Sequence, residues 1–264
     1  MITEFFKPSN IDDAVKLKNE TSKKKYYIAG GSELNSLQYK NESFEVISVE
    51  NLGFDTVIET DESVEIGSAA TIQSLIESKK CPELIKSAAK QITNKNIRNI
   101  GTIGGNIGSN KSSSNLIPAL LCLDAQLYMA DKSGQSLISI LDYISKEKND
   151  LIIKIKICKE NLKRKFALRN YTRSSADISI ITAAVSFMKK DVVENPIIAV
   201  GGVDKHIIRL TELEKLLNGK KLPDKSEIEN SVKKFINPDT DLRGSAEFKK
   251  HLAAVFVADS LHNA

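Results

Sequence analysis

The sequence predicts an α+β protein of two domains, and three observations carry that expectation. Up to about residue 160, short apolar strands alternate with helices and two glycine-rich segments; beyond it come a group of strands and then a run of helices. A chain of 264 residues suits one large domain or two modest ones, burying roughly three quarters of the surface its unfolded form exposes. Hydrophobic residues at 41% and charged residues at 27% exclude a disordered chain. The expected division is residues 1–160, an α+β domain, and residues 161–264, a smaller domain of sheet plus helices.

The elements follow in order. Ser9 and Asp12 have capping-box spacing, and Ile11, Ala14, Val15 and Leu17 supply the apolar side of a first helix. Tyr26-Tyr27-Ile28-Ala29 is a short strand running into Gly30-Gly31-Ser32, and a second strand covers Phe44 to Val49. Val57 to Ile66 reads as a hairpin turned at Asp61-Glu62. Thr71 caps a helix holding Ile72, Leu75 and Ile76, and Pro82 opens another towards Ile92. The stretch Ile97 to Asn115 reads as an irregular glycine-rich segment. Leu116 to Leu123 is an apolar helix, Ala125 to Ala130 a strand, and Asp131-Lys132-Ser133-Gly134 a turn. Leu151 to Ile157 alternates isoleucine with Lys154 and Lys156, the period of a half-buried strand. Further strands are expected at Lys165–Tyr171, Ser179–Met188 and Ile197–Val203, and helices at Leu213–Leu217, Glu227–Phe235 and Phe248–Leu261.

Composition also narrows function. A formal charge of +4, with lysines scattered among Glu and Asp and no basic stripe interleaved with aromatics, argues against nucleic acid. No apolar run approaches the roughly 20 residues that span a bilayer, and MITEFFKPSN lacks the pattern of a signal peptide, so the expected location is the cytoplasm. Cys81, Cys122 and Cys158 stand far apart with no C-x-x-C pair, and His206, His251 and His262 complete no ligand set. A structural zinc site or a 2Fe–2S cluster takes four protein ligands, so the chain is read as carrying no metal and the cysteines as buried or incidental thiols.

Glycines clustered between a strand and a helix let backbone N–H groups approach an anion with no side chain in the way. Gly30-Gly31-Ser32 is one such cluster, although an ordinary turn would also account for Gly30-Gly31. The second is Gly101, Gly104, Gly105 and Gly108, a G-x-x-G-G-x-x-G array that places four of the 13 glycines within eight residues. It is neither G-x-G-x-x-G nor G-x-x-x-x-G-K-[ST], so the Rossmann and P-loop readings fail. Two separate loops suit a pyrophosphate gripped from two sides.

At these residues the chain resembles a known family. Ile28-Ala29-Gly30-Gly31-Ser32-Glu33-Leu34 and Ile97-Arg98-Asn99-Ile100-Gly101-Thr102-Ile103-Gly104-Gly105-Asn106-Ile107 are similar to the FAD-binding subunits of molybdenum hydroxylases, the flavoprotein parts of xanthine dehydrogenase and carbon monoxide dehydrogenase. Leu116-Ile117-Pro118-Ala119-Leu120-Leu121, Leu123-Asp124-Ala125 and Asp241-Leu242-Arg243-Gly244-Ser245 extend the resemblance over essentially the whole chain, which looks nearest to the three-subunit bacterial xanthine dehydrogenase type. It implies a p-cresol methylhydroxylase-type FAD domain of two α/β subdomains, followed by the family's C-terminal domain. It also implies non-covalent FAD, its pyrophosphate held by Ala29, Gly30, Gly31, Ser32, Glu33 and Leu34 on one side. Thr102, Gly104, Gly105 and Asn106 line the other side, and Gly108 continues the wall. Ser114 and Asn115 occupy positions that meet the ribitol or adenosine part in relatives, Asn115 standing where Asp is common. Lys111-Ser112-Ser113 departs from a run that often contains proline. Leu151 and Ile152 flank the flavin or adenine. Arg169 sits where relatives carry a basic residue near the flavin ring, a cation that would stabilise the reduced flavin, with a solvated strand arginine as the plainer alternative.

No His, Glu or Cys cluster suggests a substrate base, and no catalytic residue is assigned. The resemblance explains this: in such enzymes substrate is oxidised on a molybdopterin subunit, electrons reach FAD through the 2Fe–2S clusters of an iron–sulfur subunit, and NAD⁺ or another acceptor takes them. An assembly scaffold on a degenerate flavin fold and a free-standing flavin oxidase are the competing readings.

Overall fold

The computed structural model describes residues 1–20, 23–36, 39–146, 150–174, 177–189 and 192–264. In chain order the elements are β1 (Ile2–Phe6), α1 (Ile11–Asn19), β2 (Lys25–Ile28), β3 (Phe44–Ser48), β4 (Val57–Glu59), β5 (Ser63–Gly67), α2 (Ile72–Glu77), α3 (Glu83–Lys90), α4 (Lys95–Ile100), α5 (Ile103–Ser109) and α6 (Leu116–Cys122). Then come β6 (Gln126–Asp131), β7 (Gly134–Ser139), α7 (Ile140–Ser145), β8 (Leu151–Cys158), β9 (Lys165–Tyr171), β10 (Ile181–Lys189), β11 (Val193–Gly201) and β12 (Ile208–Arg209). Three helices close the chain: α8 (Thr211–Leu217), α9 (Lys225–Phe235) and α10 (Ala246–Asn263). None of the helices is long and apolar enough to cross a membrane among the described residues. Two compact units form: Met1–Cys81 with Asn94–Ser109 and Gln126–Ile157, and Pro82–Thr93 with Asn110–Ala125 and Cys158–Ala264.

The first unit holds two sheets. One is parallel, ordered β1-β3-β2, and the other runs β4-β5-β8-β6-β7. Its core joins Ala14 of α1 to Ile47, Val49, Phe54, Ala130, Leu151 and Ile153. A second cluster sets Tyr26, Tyr39 and Phe44 edge-to-face at 5.2 to 5.9 Å between centroids, the arrangement the ring quadrupoles favour. In the second unit β12-β11-β10-β9 form an antiparallel sheet. Ile181, Ala183, Val185 and Phe187 of β10 alternate to one face and pack with Ala253, Ala254, Val257 and Leu261 of α10. Across the other face Ser186 donates its hydroxyl to the Cys122 carbonyl of α6 at 2.6 Å.

The structure departs from the sequence expectations at identifiable places. The cap of α1 is Asn10, whose Oδ1 accepts from the Asp13 N–H at 2.8 Å, and not the Ser9–Asp12 box. The strands β1, β7 and β12 and the helix α7 carry no strong period in the sequence. β7 is an edge strand paired only with β6 and largely exposed, so nothing selects apolar alternation along it. β11 starts at Val193 rather than Ile197. The glycine-rich stretch from Ile97 is helical in α4 and α5 rather than a loop.

Candidate functional site

β2 feeds the first glycine turn. A Cβ on Gly30 would sit 1.6 Å from the Ile100 carbonyl oxygen, so only glycine lets the turn lie against the end of α4. Gly31 has φ of +70°, a left-handed value that other residues adopt at a cost. The turn closes when the Asn35 N–H donates to the Gly31 carbonyl at 3.0 Å and the Ser36 N–H to the Glu33 carbonyl at 2.9 Å. Among the described residues no acceptor meets the N–H groups of Gly31, Ser32 and Leu34. Backbone donors left open at a turn entered through a left-handed residue form a concavity suited to an anion.

The second array is brought against the first: a Cβ on Gly101 would lie 3.4 Å from Ser32 Oγ. Its donors, however, are committed within the unit. Ile103 N–H donates to the Ala70 carbonyl at 3.1 Å, Gly104 N–H to the Ser68 carbonyl at 2.8 Å, and Asn106 N–H to the Thr102 carbonyl at 3.0 Å. Gly105 N–H donates to the Thr102 hydroxyl at 3.1 Å. The expectation that Gly104 and Gly105 offer their N–H groups to a phosphate is therefore corrected, because the Gly104 N–H is pinned to Ser68 and the Gly105 N–H to the Thr102 hydroxyl at the start of α5. A Cβ on Gly104 would fall 2.6 Å from Ser68 Cβ and O, so this glycine serves close packing.

Gly105 and Gly108 are different. Both are exposed, three residues apart on one face of α5, with Gly104 and Ile107 buried behind them. A Cβ on Gly108 would meet nothing nearer than 3.9 Å, and one on Gly105 only the Thr102 oxygen at 3.1 Å. The outer face of α5 is thus bare backbone that an extended ligand can lie against. Ile152 of β8 is buried, and the carbonyl of its neighbour Ile153 accepts from the N–H of Ser68 at 3.0 Å, the residue that also anchors Gly104. These residues fit an FAD pyrophosphate: open donors on the first turn, a side-chain-free wall on the second.

The remaining candidates lie in the second unit. Ser114 Oγ accepts from the Ile117 N–H at 3.1 Å and fastens the start of α6. Asn115 is 6% exposed, and its Oδ1 accepts from the hydroxyls of Ser179 at 2.6 Å and Thr182 at 3.1 Å. Arg169 pairs with Ala183 across β9 and β10, on the face that α10 covers, and its Nη2 stands 3.8 Å from Asp259 Oδ2. Thr182 points to the opposite face, so the sheet does not bring Arg169 and Asn115 together.

Cys81 and Cys122 are buried, and burial pushes the Cys122 thiol up to about 12, which keeps it protonated and inert. Sequence reasoning missed Ser68, Ser179 and Thr182. The small-residue run Gly67-Ser68-Ala69-Ala70 was the available sign that another backbone approaches there.

Comparison with known proteins defines the class. Residues 1–159 match the family described as the FAD binding domain in molybdopterin dehydrogenase, and residues 166–264 match the CO dehydrogenase flavoprotein C-terminal domain. The chain belongs to the FAD-binding subunits of the molybdenum hydroxylase family, with the FAD domain and C-terminal domain that this fold implies. It is 33% identical over 260 residues to YgfM, an uncharacterized protein of Escherichia coli K12, covering 98% of this chain and 95% of that one. It is 27% identical to the glyceraldehyde dehydrogenase medium chain of Sulfolobus acidocaldarius, covering 87% of this chain and 79% of the relative. The solved structure of carbon monoxide dehydrogenase from Hydrogenophaga pseudoflava superposes with a TM-score of 0.90 at 22% identity, covering 99% of this chain and 96% of that one, a likeness of fold.

Proposed function

We propose that this chain is the electron-transferring flavoprotein subunit of a multi-subunit molybdenum hydroxylase of the xanthine dehydrogenase-like type. It takes electrons from 2Fe–2S clusters of an iron–sulfur partner subunit and passes them to NAD⁺ or another acceptor, while a molybdopterin partner subunit oxidises the substrate in the cytoplasm. Residues 1–160 form its FAD-binding domain and residues 161–264 its C-terminal domain. Relatives named as medium chains support this organisation, since a medium chain is one chain among several.

The observation that carries the reading is the pairing of open donors at Gly31, Ser32 and Leu34 with the bare α5 face at Gly105 and Gly108. Ala29 through Leu34 bind the pyrophosphate through backbone donors, with Thr102, Gly105, Asn106 and Gly108 as the opposing wall and Gly104 packed behind it on Ser68. Ile152 flanks the ring system and Ser114 and Asn115 meet the sugar portion, whereas Arg169, on the sheet face opposite Asn115 and beside Asp259, is the plain strand arginine of the alternative reading. When bound, FAD would supply the redox chemistry, and the protein binds, orients and shields it.

The test is to titrate the purified full chain with FAD and follow flavin fluorescence. One FAD per chain is expected, released to the supernatant on acid precipitation. No saturable binding overturns the flavin assignment, and colour left on the pellet overturns the non-covalent one. NADH-driven dye reduction by the loaded chain is expected; its absence with FAD bound overturns NAD⁺ as co-substrate.

A further inference from the structure

An open sheet ends in strands whose outer backbone groups are unpaired, and proteins guard such edges with charge, proline or shortness. Among the described residues, the edge strand β1 carries Glu4, β2 carries Lys25, and β9 carries Lys165 and Arg169. The edges β4 and β12 are three and two residues long, and each still holds a charge, Glu59 and Arg209. β7 breaks this pattern: GQSLIS is a six-residue edge with no charge and no proline. Gly134, Gln135, Ser136 and Leu137 are all exposed, Leu137 at 41%.

The hairpin decides which backbone groups of β7 face out. β6 and β7 join through the two-residue loop Lys132-Ser133, so Asp131 and Gly134 close it as a hydrogen-bonded pair. Pairs alternate along an antiparallel ladder, which turns Ser136 and Ile138 towards β6 and leaves Gln135, Leu137 and Ser139 facing outward. The Ser139 carbonyl is the exception, because Ser139 caps α7 and its carbonyl accepts the first bond of that helix.

We infer that β7 is where two copies of this chain pair, antiparallel about a two-fold axis at Leu137, so that their five-stranded sheets become one. Outward groups must meet outward groups, and Leu137 against Leu137 is the register of greatest overlap. In it the Leu137 N–H and C=O of each copy bond those of the other, and each Ser139 N–H donates to the other copy's Gln135 carbonyl. The two Leu137 side chains share a sheet face, each with Tyr128 beside it on β6, and cover one another. The ends are complementary in charge: the turn carrying exposed Lys132 of one copy arrives where α7 of the other begins, and Asp142 there is 59% exposed. Such an isologous contact closes at two copies and does not propagate. One strand pair is a small interface, so the dimer is reversible. The inference is independent of the flavin.

The experiment is sedimentation velocity of the full chain from about 1 to 100 μM, with melting temperatures recorded. A monomer–dimer equilibrium within that range is expected. Leu137→Lys sets like charges opposite each other and is expected to raise the dissociation constant about tenfold or more while the melting temperature stays near wild type. Ile58→Lys, on the far edge β4 and also exposed, is expected to leave it within about twofold. Cross-linking reads the register, in a Cys158→Ser background with oxidised glutathione as oxidant. Leu137→Cys is expected to form a disulfide-linked dimer, since a hydrogen-bonded pair holds its Cα atoms about 5.5 Å apart. Gln135→Cys is expected not to, because its counterpart lies about 13 Å further along the strand. A wild-type chain that is monomeric up to about 100 μM overturns the proposal, as does a dimer that Leu137→Lys leaves intact. Gln135→Cys cross-linking as fast as Leu137→Cys overturns the register.

Discussion

At the scale of single residues, the glycines that look alike in the sequence do different work, and substitution separates them. Gly104 is wedged against Ser68, with its N–H bonded to the Ser68 carbonyl. Gly104→Ala pushes a methyl to 2.6 Å from that backbone, so either the Gly104–Ser68 bond or the α5 position must give. The expected result is apo destabilisation of roughly 1–3 kcal/mol, the range of overpacking at a tight site. Gly105→Val meets only a hydroxyl oxygen on the protein side. Its apo stability should stay within about 1 kcal/mol of wild type, because any residue but proline has at least glycine's helix propensity. Its FAD affinity should fall at least tenfold, because the side chain fills the face the pyrophosphate needs. Thermal melts of the apo variants, with the ratio of visible flavin absorbance to protein absorbance, check both. A Gly105→Val protein with full flavin occupancy would remove α5 from the cradle.

At the scale of elements, the start of α10 shows how a short polar run builds a helix end. Ser245 Oγ accepts from the Phe248 N–H at 3.2 Å, and Asp241 Oδ1 accepts from the Arg243 N–H at 2.8 Å. Lys249, its side chain 5% exposed, donates to Asp241 Oδ1 at 2.8 Å and to the Asp239 carbonyl at 3.0 Å. The Lys249 ammonium holds the Asp241 carboxyl below the usual carboxylate range. A carboxylate with a depressed folded-state pKa stabilises fully above its unfolded pKa, near 4, and loses that contribution as pH falls through the folded value. Asp241→Asn keeps the turn's acceptor oxygen but leaves Lys249 without its anion. It should cost about 1–2 kcal/mol at pH 7, towards the low end because Asp241 is half exposed, and the gap to wild type should close in acid. Urea melts at neutral pH and near pH 3 measure it; a gap undiminished at the lower pH would assign the effect to the turn instead.

The same scale explains what was legible. Ser245 before an apolar run announces a helix start, and Ile153, Ile155 and Ile157 against two lysines announce β8. The helix α5 was hidden, because IGGNIGS has poor intrinsic propensity and is held by bonds to Ser68 and Ala70 that lie more than thirty residues away. The glycine cluster itself was visible, yet which of its N–H groups are open depends on that tertiary anchoring. The two hydroxyls that donate to the Asn115 amide oxygen were equally invisible, since they are 64 and 67 residues distant.

At the scale of the whole molecule, the change of composition near residue 160 marks where the strands of the second unit's sheet begin, and it is silent about two segments that return to that sheet. Residues 82–93 and 110–125 belong to the same compact unit as residues 158–264. Within it α6 packs on β10 and β11, and α3 packs on α6 and β9. Every residue of α6 from Leu116 to Cys122 is buried. A fragment ending at residue 160 would keep α6 and remove the strands that cover it. Removing the sheet uncovers one side of α6, whose residues are all buried, and each Leu or Ile exposed there forfeits roughly 1.5–3 kcal/mol, so that a few of them approach the entire stability of an ordinary domain. Residues 1–160 expressed alone should therefore be aggregated, or expanded and able to bind an apolar dye, with no cooperative melt. Size-exclusion chromatography, dye fluorescence and a thermal scan test this. A monomeric fragment with a sharp transition and native FAD affinity would mean that α6 is sufficiently covered without β10 and β11, and that the glycine cradle stands independently of the second unit.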